Sequence, residues 1–189
     1  MDNNIMNLKS GTDIRGIAID SVEGEEVNLT NEVIEKIAYG FAMWLVEKKE
    51  KLVKELSIAI GHDSRLSADR IKGVLIKTLA RIGVKIVDCS LSSTPAMFMT
   101  TIDLNCDAAI EITASHHPFN RNGLKFFTKE GGLNGKDIEK ILENTMNIAN
   151  FQKVEKLDIK SENYMKKYAQ TLREMVCREV NSKNYKKPL

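Results

Sequence analysis

The residue types best suited to chemistry cluster in one stretch, ITASHHPFNRNGLKFF, at positions 112–127. Ser115 stands beside His116 and His117, and Asn120, Arg121, Asn122, Gly123 and Lys125 follow. Three chemistries draw on such a set. In the first, Ser115 is a hydrolytic nucleophile, which requires a histidine that reaches the hydroxyl and is itself held by a carboxylate. A sequence neighbour such as His116 usually projects in another direction, and the G-x-S-x-G elbow of many hydrolases does not occur. In the second, His116 and His117 ligate a metal, but no third His, Cys or Asp follows at a recurring ligand spacing. A serine that only hydrogen-bonds within a polar turn is the plain alternative to both.

The third chemistry uses everything nearby. A phosphate on Ser115 would carry roughly −1.5 to −2 charges and three acceptor oxygens. His116, Lys125 and Arg15 are cations or donors suited to such a group, and Asn122-Gly123 is a dipeptide that lets a backbone turn tightly. A serine that holds and exchanges a phosphoryl group is a device of covalent catalysis. Further polar loops carry matching residues: SGTDIRG with Arg15, GHDSRLSA with Asp63 and Arg65, and SSTPA before a helix. Cations and glycines near helix N-termini suit a phosphate.

The elements that must position these loops alternate. DIRGIAI (13–19) reads as a strand after a Gly-Thr turn. Thr30 is a good N-cap for a helix whose apolar stripe includes Val33, Ile37, Phe41 and Leu45 and which ends near Glu50. LSIAIG (56–61) is an apolar run expected of a strand buried on both faces. Ser67 is placed to cap the next helix, whose inner face carries Ile71, Leu75 and Leu79, and Gly83 stands where a helix C-terminal cap is usual. VKIVDC is a strand, and Thr94-Pro95 puts proline at a first helical position. DAAIEIT (107–113) is a strand running into the serine loop, and LKFF (124–127) follows too closely for a helical crossover, so that pair is expected to be antiparallel. GKDIEKILENTMNI then places Ile138, Ile141, Leu142, Thr145 and Ile148 on one helical face. This alternation predicts an α/β fold: a three-layer α/β/α sandwich with a mixed, mostly parallel sheet, followed by a C-terminal linker helix. In such a fold ligands bind beyond the carboxyl ends of the parallel strands, where these loops lie.

From about residue 150 the character changes. FQKVEKLDIKSE reads as a polar connector, and Tyr164, Tyr168, Leu172, Met175 and Val176 mark an amphipathic helix with an excess of basic residues, read as a solvated face. The expected division is a domain at 1–152 and a connector with helix at 153–189, and the ending NYKKPL looks like the approach to a further strand.

Composition narrows the classes. The chain has 189 residues, 42% apolar and 29% charged, enough to bury a core without disulfides. A formal charge of +2 implies no bulk attraction to nucleic acid or membrane. Three scattered cysteines form no C-x-x-C pair. No apolar leader opens the sequence and no run approaches the roughly 18 apolar residues of a membrane span, so cytoplasmic localisation is the expectation.

Three of the loops together resemble the α-D-phosphohexomutases, the phosphoglucomutase/phosphomannomutase family. That family's active-site loop, T-[AG]-S-H-x-P followed by N-G-x-K, is matched by Thr113-Ala114-Ser115-His116-His117-Pro118 and Asn122-Gly123-Leu124-Lys125. SGTDIRG (10–16) resembles its G-T-x-x-[IF]-R-G segment, and GHDSR (61–65) its G-x-D-x-R loop. The resemblance covers essentially the whole chain but only the first of the family's four domains, with the helix toward the second. The family's D-x-D-x-D-R magnesium loop does not occur here.

The resemblance implies interconversion of hexose 1-phosphate and hexose 6-phosphate, on glucose and/or mannose, through a hexose 1,6-bisphosphate. It casts Ser115 as phosphoryl donor and acceptor, its phosphate being one ligand of Mg2+. It places Lys125 and Arg15 at the reacting centre, His116 in contact with the phosphoserine, and Asp63 and Arg65 in a structural or electrostatic role. Asn122 and Gly123 join the phosphate environment. His117 stands where the family more usually has Asn and receives no role. The 189 residues alone are expected to be inactive without domains 2–4, and a non-catalytic phosphate-binding or assembly module is the alternative. Neither nucleic acid nor membrane is an expected partner.

Overall fold

The structure, a computed structural model, describes residues 5–147 and 151–179. Two short antiparallel strands, β1 (Lys9–Ser10) and β2 (Asp13–Ile17), come first, joined by a turn in which Gly11 adopts the left-handed region at φ 63°. Helix α1 (Asn31–Lys49) begins as its residue types predict: Thr30 Oγ1 accepts from the Val33 amide at 3.3 Å. It ends at Glu50, which adopts the left-handed conformation. Strand β3 (Ser57–His62) leads into α2 (Ala68–Arg81), β4 (Lys85–Leu91) into α3 (Thr94–Asp103), and β5 (Ala108–Ile112) into the serine loop. Then come β6 (Arg121–Thr128), β7 (Gly131–Gly132), α4 (Gly135–Asn144), β8 (Ile159–Ser161) and α5 (Tyr164–Glu179).

The strands form one mixed sheet in the order β1-β2-β6-β5-β3-β4-β8, with β7 on β6. Pairing is parallel through β5, β3, β4 and β8 and antiparallel through β1, β2, β6 and β7. β5 and β6 join the halves as the expected antiparallel pair. Antiparallel pairing takes a larger share than expected, because the strand foreseen as LKFF starts at Arg121 and is long enough to recruit β2.

Alternation along the strands sends neighbouring residues to opposite layers. Ile14, Ile58, Ile60, Ile110, Ile112, Leu124 and Phe126 pack under α1, α2 and α4. Ala59, Ala109, Cys89 and Phe127 pack with Met97 of α3 and Tyr164 of α5. Both layers are closed over the sheet centre, so β3 is apolar on both faces. Each large side chain buried here is worth about 1.5–3 kcal/mol of transfer free energy.

Several local expectations are corrected. Ser67 stands at the start of α2 but makes no capping bond; its backbone is helical there, and its hydroxyl instead accepts from Asn122 Nδ2 at 2.9 Å. Pro95 is the second residue of α3, since Thr94 already opens it. Asn122-Gly123 is not a turn but strand, paired with Gly16 and Arg15. The polar connector contributes β8, which adds in parallel to the edge of β4, and Tyr164 behind it is fully buried. Farther along α5 the apolar stripe is open: Leu172, Met175 and Val176 are exposed. Ile148 and residues 184–189 lie outside the described residues. Among the described residues no helix is long and apolar enough to cross a membrane.

Candidate functional site

Register places the polar residues of four strands in rows across the sheet. In the first row Asp13 pairs with Lys125, Lys125 with Glu111, and Glu111 with Gly61. In the next, Arg15 pairs with Gly123, whose carbonyl accepts from the Thr113 amide at 3.0 Å, and the Asp63 amide donates to Ile112 O at 3.0 Å. The residues between the rows, Ile14, Ile112 and Leu124, belong to the α1–α2–α4 core, so both rows face the α3 side.

Asp13 organises the cations. It is 5% exposed, and its two carboxylate oxygens accept from Lys125 Nζ at 2.5 Å and Arg15 Nη2 at 2.7 Å. Lys125 and Arg15 thus share one buried counter-ion while their side chains remain partly open to solvent. Gly123 makes room for this. A Cβ there would strike the Ile14 carbonyl and lie 2.9 Å from Arg15 Cγ and 3.1 Å from the Thr113 carbonyl. The Arg15 stem therefore lies close against the Gly123 backbone.

Ser115 follows β5 and is exposed, in a left-handed backbone conformation at φ 55°. That conformation costs a non-glycine residue about 1 kcal/mol or more, so the surroundings must hold it. Its amide donates to Thr113 Oγ1 at 3.0 Å. The larger restraint is Arg65, whose Nη2 donates to the Ser115 and His117 carbonyls at 2.7 and 2.8 Å, and whose Nη1 donates to those of Pro118 and Arg121 at 2.8 and 2.9 Å. Asp63 holds the clamp in turn: its Oδ1 accepts from the Arg65 amide at 3.0 Å, and its Oδ2 lies 3.4 Å from Arg65 Nε. One guanidinium so closes the serine loop from across the sheet.

The far end of the loop is also tied. Glu25 accepts from Asn120 Nδ2 at 2.6 Å and from Arg121 Nη2 at 3.2 Å, and these bonds, Asn120's first, hold its carboxyl below the usual range. Asn122 is fully buried; it donates to Ser67 Oγ, and its Oδ1 accepts from the Gly123 amide at 2.8 Å. Asn122 and Gly123 act as scaffold here, while Ser115, His116, Arg15 and Lys125 present groups that can meet a ligand.

The left-handed turn at Ser115 brings His116 back, contrary to the expectation for a sequence neighbour: its Nδ1 lies 3.3 Å from Ser115 Oγ. No carboxylate among the described residues pairs with His116, so the contact lacks the third member of a hydrolytic triad. The rings of His116 and His117 stack with centroids 5.3 Å apart. Partial desolvation, and then the charges of Arg15, His116, Arg121 and Arg65, push the His117 pKa down. Among the described residues no group of three or more His, Cys, Asp or Glu is placed to hold a metal. A magnesium ion at Ser115 would need carboxylates from outside the described residues.

Asp63, Ser64, Arg65, Leu66, Ser115, His117 and Phe119 line an open cleft of about 370 Å3. A larger hollow of about 470 Å3 at residues 20–27 has four acids and no cation in its lining, so it does not suit an oxyanion.

Sequence reasoning missed two residues of the rows. Asp13 carried a signal, an acid two positions from Arg15 in a strand and so on the same face. Glu111 carried another, an acid inside the apolar run DAAIEIT. It is 1% exposed, its Oε2 has no hydrogen-bond partner, and burial, with a smaller contribution from the Asp63 charge, pushes its pKa up to about 8.

An α/β/α domain that raises an exposed serine on a clamped loop, with a paired cation cluster on the rows of strand residues leading to it, carries groups suited to an oxyanion. Comparison with known proteins agrees with this class. The sequence model of the phosphoglucomutase/phosphomannomutase α/β/α domain I matches residues 7–153. A phosphoglucosamine mutase of Helicobacter pylori (strain Shi470) is 37% identical over 125 residues, covering 66% of this chain and 27% of that protein. One of Campylobacter jejuni subsp. jejuni (strain 81-176) is 39% identical over 87 residues, covering 46% of this chain and 20% of that protein. The chain thus matches only about a quarter of the length of these curated relatives. Among solved structures, a phosphoglucomutase/phosphomannomutase family protein from Burkholderia thailandensis superposes with a TM-score of 0.70 at 20% identity, over 87% of this chain and 35% of that one. A chain from Thermus thermophilus gives 0.71 at 20% identity, over 88% and 35%. This protein belongs to the phosphoglucomutase/phosphomannomutase family, and the matched region is that family's first α/β/α domain.

Proposed function

We infer that Ser115 is the phosphoryl carrier of a phosphohexomutase reaction. The observation that carries this reading is the exposed Ser115, fixed by the Arg65 clamp in a left-handed conformation just past β5, on whose α3-side rows Arg15 and Lys125 share the buried carboxylate of Asp13. In the forward half-reaction a hydroxyl of the hexose 1-phosphate attacks the phosphorus on Ser115. A new P–O bond forms to the sugar, the P–Oγ bond breaks, the proton of the sugar hydroxyl passes to the departing Ser115 Oγ directly or through water, and a hexose 1,6-bisphosphate results. The return half-reaction reverses these changes at the other sugar position and restores the phosphoserine. Such transfers are catalysed mainly by positioning and charge stabilisation. Arg15 and Lys125 supply positive charge to the transferring group, with Asp13 fixing where their charges sit. His116 hydrogen-bonds the Ser115 oxygen, and Arg65 with Asp63 holds the loop in shape.

Magnesium would neutralise charge on the phosphoryl oxygens when bound, and its carboxylate ligands would come from outside the described residues. Among the glucose, mannose and glucosamine phosphates that suit such a site, the named relatives favour glucosamine phosphate. The chain matches a quarter of those relatives, so the proposed turnover rests on further domains of that architecture. The 189 residues alone are proposed to turn over negligibly.

The test is protein captured from its native cells. Phosphopeptide mass spectrometry should find phosphate on Ser115, and Ser115→Ala should abolish conversion of glucose, mannose and glucosamine 1-phosphates alike. Retained turnover in that variant rejects Ser115 as the carrier.

A further inference from the structure

The phosphoryl-transfer reading leaves Glu111 without a part, although it lies in the middle of the row that carries Lys125 and Asp13. Its neighbours Ile110 and Ile112 face the α1–α2–α4 core, so Glu111 faces the opposite layer. Gly61 flanks it on β3 and Lys125 on β6. Over Gly61 the structure is closed: a Cβ there would lie 2.5 Å from Met97 Sδ and 2.9 Å from Ser92 Cβ. Glu111 is thus sealed, at 1% exposure, with Oε2 unpartnered.

The charged and titratable groups around it are few. Just past β3 stands Asp63, whose negative charge opposes that of Glu111. β4 contributes the buried Cys89. β6 contributes Lys125, whose Nζ is engaged by Asp13 of β2, and Asp13 also binds Arg15. The first turns of α3, Thr94 to Met97, bring no charged residue. An ionised Glu111 would have neither a donor for Oε2 nor relief from Asp63, and both penalties vanish for the neutral acid.

We propose that Glu111 is a positioning residue of the phosphoryl site: as a neutral acid it adds no second negative charge to the Asp13 carboxylate that Arg15 and Lys125 share, and its proton is linked to occupancy of the site by a doubly charged oxyanion. This rests on the reading of the Ser115 loop as a phosphoryl site. The charge sum shows why protonation matters. With Glu111 neutral, the set Asp13, Arg15, Lys125 and Glu111 carries a net positive charge; with Glu111 ionised it carries none. The group titrates near pH 8, pushed there first by burial and then by Asp63, so its state responds to small changes in the local field. An arriving dianion favours the protonated form. By reciprocity, loss of that proton weakens anion binding. Affinity is therefore full below the free-site titration point and falls as pH rises through it.

The test uses sulfate, whose charge is constant over the range, and the 189-residue chain. Carboxyl-labelled glutamate allows the Glu111 carboxyl to be followed by NMR, and calorimetry measures sulfate affinity. Without sulfate, Glu111 should titrate near pH 8, and saturating sulfate should move that point upward. Sulfate affinity should fall roughly fivefold between about pH 7 and about pH 9. Glu111→Gln, which keeps every other titrating group, should bind sulfate without that fall. If this variant does not fold, the titration of the parent protein decides alone. Titration in the ordinary carboxylate range, a point unmoved by sulfate, or the same pH dependence in Glu111→Gln each overturns the proposal and leaves the phosphoryl site standing. Absence of sulfate binding at every pH overturns both.

Discussion

The two faces of the sheet use the same strands for opposite ends. On β2, β5 and β6 the residues Ile14, Ile110, Ile112, Leu124 and Phe126 fill a continuous apolar layer under three helices. The residues that alternate with them, Asp13, Arg15, Glu111, Thr113, Gly123 and Lys125, form rows of charge and close backbone approach that lead to the serine loop. A period of two lets a short run such as DIRG or EIT anchor the fold with one residue and serve a ligand with the next. The division also carries an expectation: damage to the apolar face should unfold the protein, and damage to the polar face should leave it folded but unable to hold a phosphoryl group.

The largest effect on stability should come from the apolar face. Phe41 is fully buried and packs on Phe126 with ring centroids 4.6 Å apart. Phe41→Ala should cost about 3–5 kcal/mol, read as a lowered urea midpoint. Arg65→Ala should cost less, about 2–3 kcal/mol, since it strips one guanidinium from four loop carbonyls. Its distinctive result should be loss of sulfate binding with a retained circular dichroism spectrum. If Arg65→Ala instead unfolds the chain as Phe41→Ala does, the two faces are not separable.

Glu111 tests the polar face by pH. The unfolded chain releases this proton near 4.5, while the folded chain keeps it to about 8. Between those values the folded state holds the extra proton, so this contribution to stability falls as pH rises. It is complete below 4.5, and no further loss follows above 8. Parent protein should therefore lose stability relative to Glu111→Gln by about 1 kcal/mol per pH unit within that window. Parallel stability curves would show that Glu111 is ionised in the fold. The smallest change is local: Thr30→Ala removes the hydroxyl that accepts from the Val33 amide and should cost about 1 kcal/mol, with sulfate binding intact.

Much of this was legible in the sequence wherever local pattern decides structure. Apolar runs marked β3 and β5, Thr30 marked the start of α1, and the short link between DAAIEIT and LKFF marked an antiparallel pair. The loops bearing Arg65 and Ser115 could be set at the same edge of the sheet because chain order and fold class fix strand ends, whereas Arg15 lies within β2. What escaped depends on partners far along the chain. Arg65 meets the serine loop some fifty residues later, and no local signal states that it spends its guanidinium on carbonyls. Asn122-Gly123 has turn chemistry, yet pairing with β2 makes it strand, and Ser67 gives up a capping role because Asn122 reaches it. β8 is three exposed residues, Ile159–Ser161, that become a strand by pairing with the open edge of β4.

Phosphoryl transfer from Ser115 to a sugar is the step on which the proposed reaction stands. Protein from native cells, labelled with radioactive phosphate and mixed with unlabelled hexose 1-phosphate, measures that step directly. With Ser115 as the carrier, label should leave the serine and appear in hexose 1,6-bisphosphate. Label that stays on the protein, or that leaves only as inorganic phosphate, would contradict it.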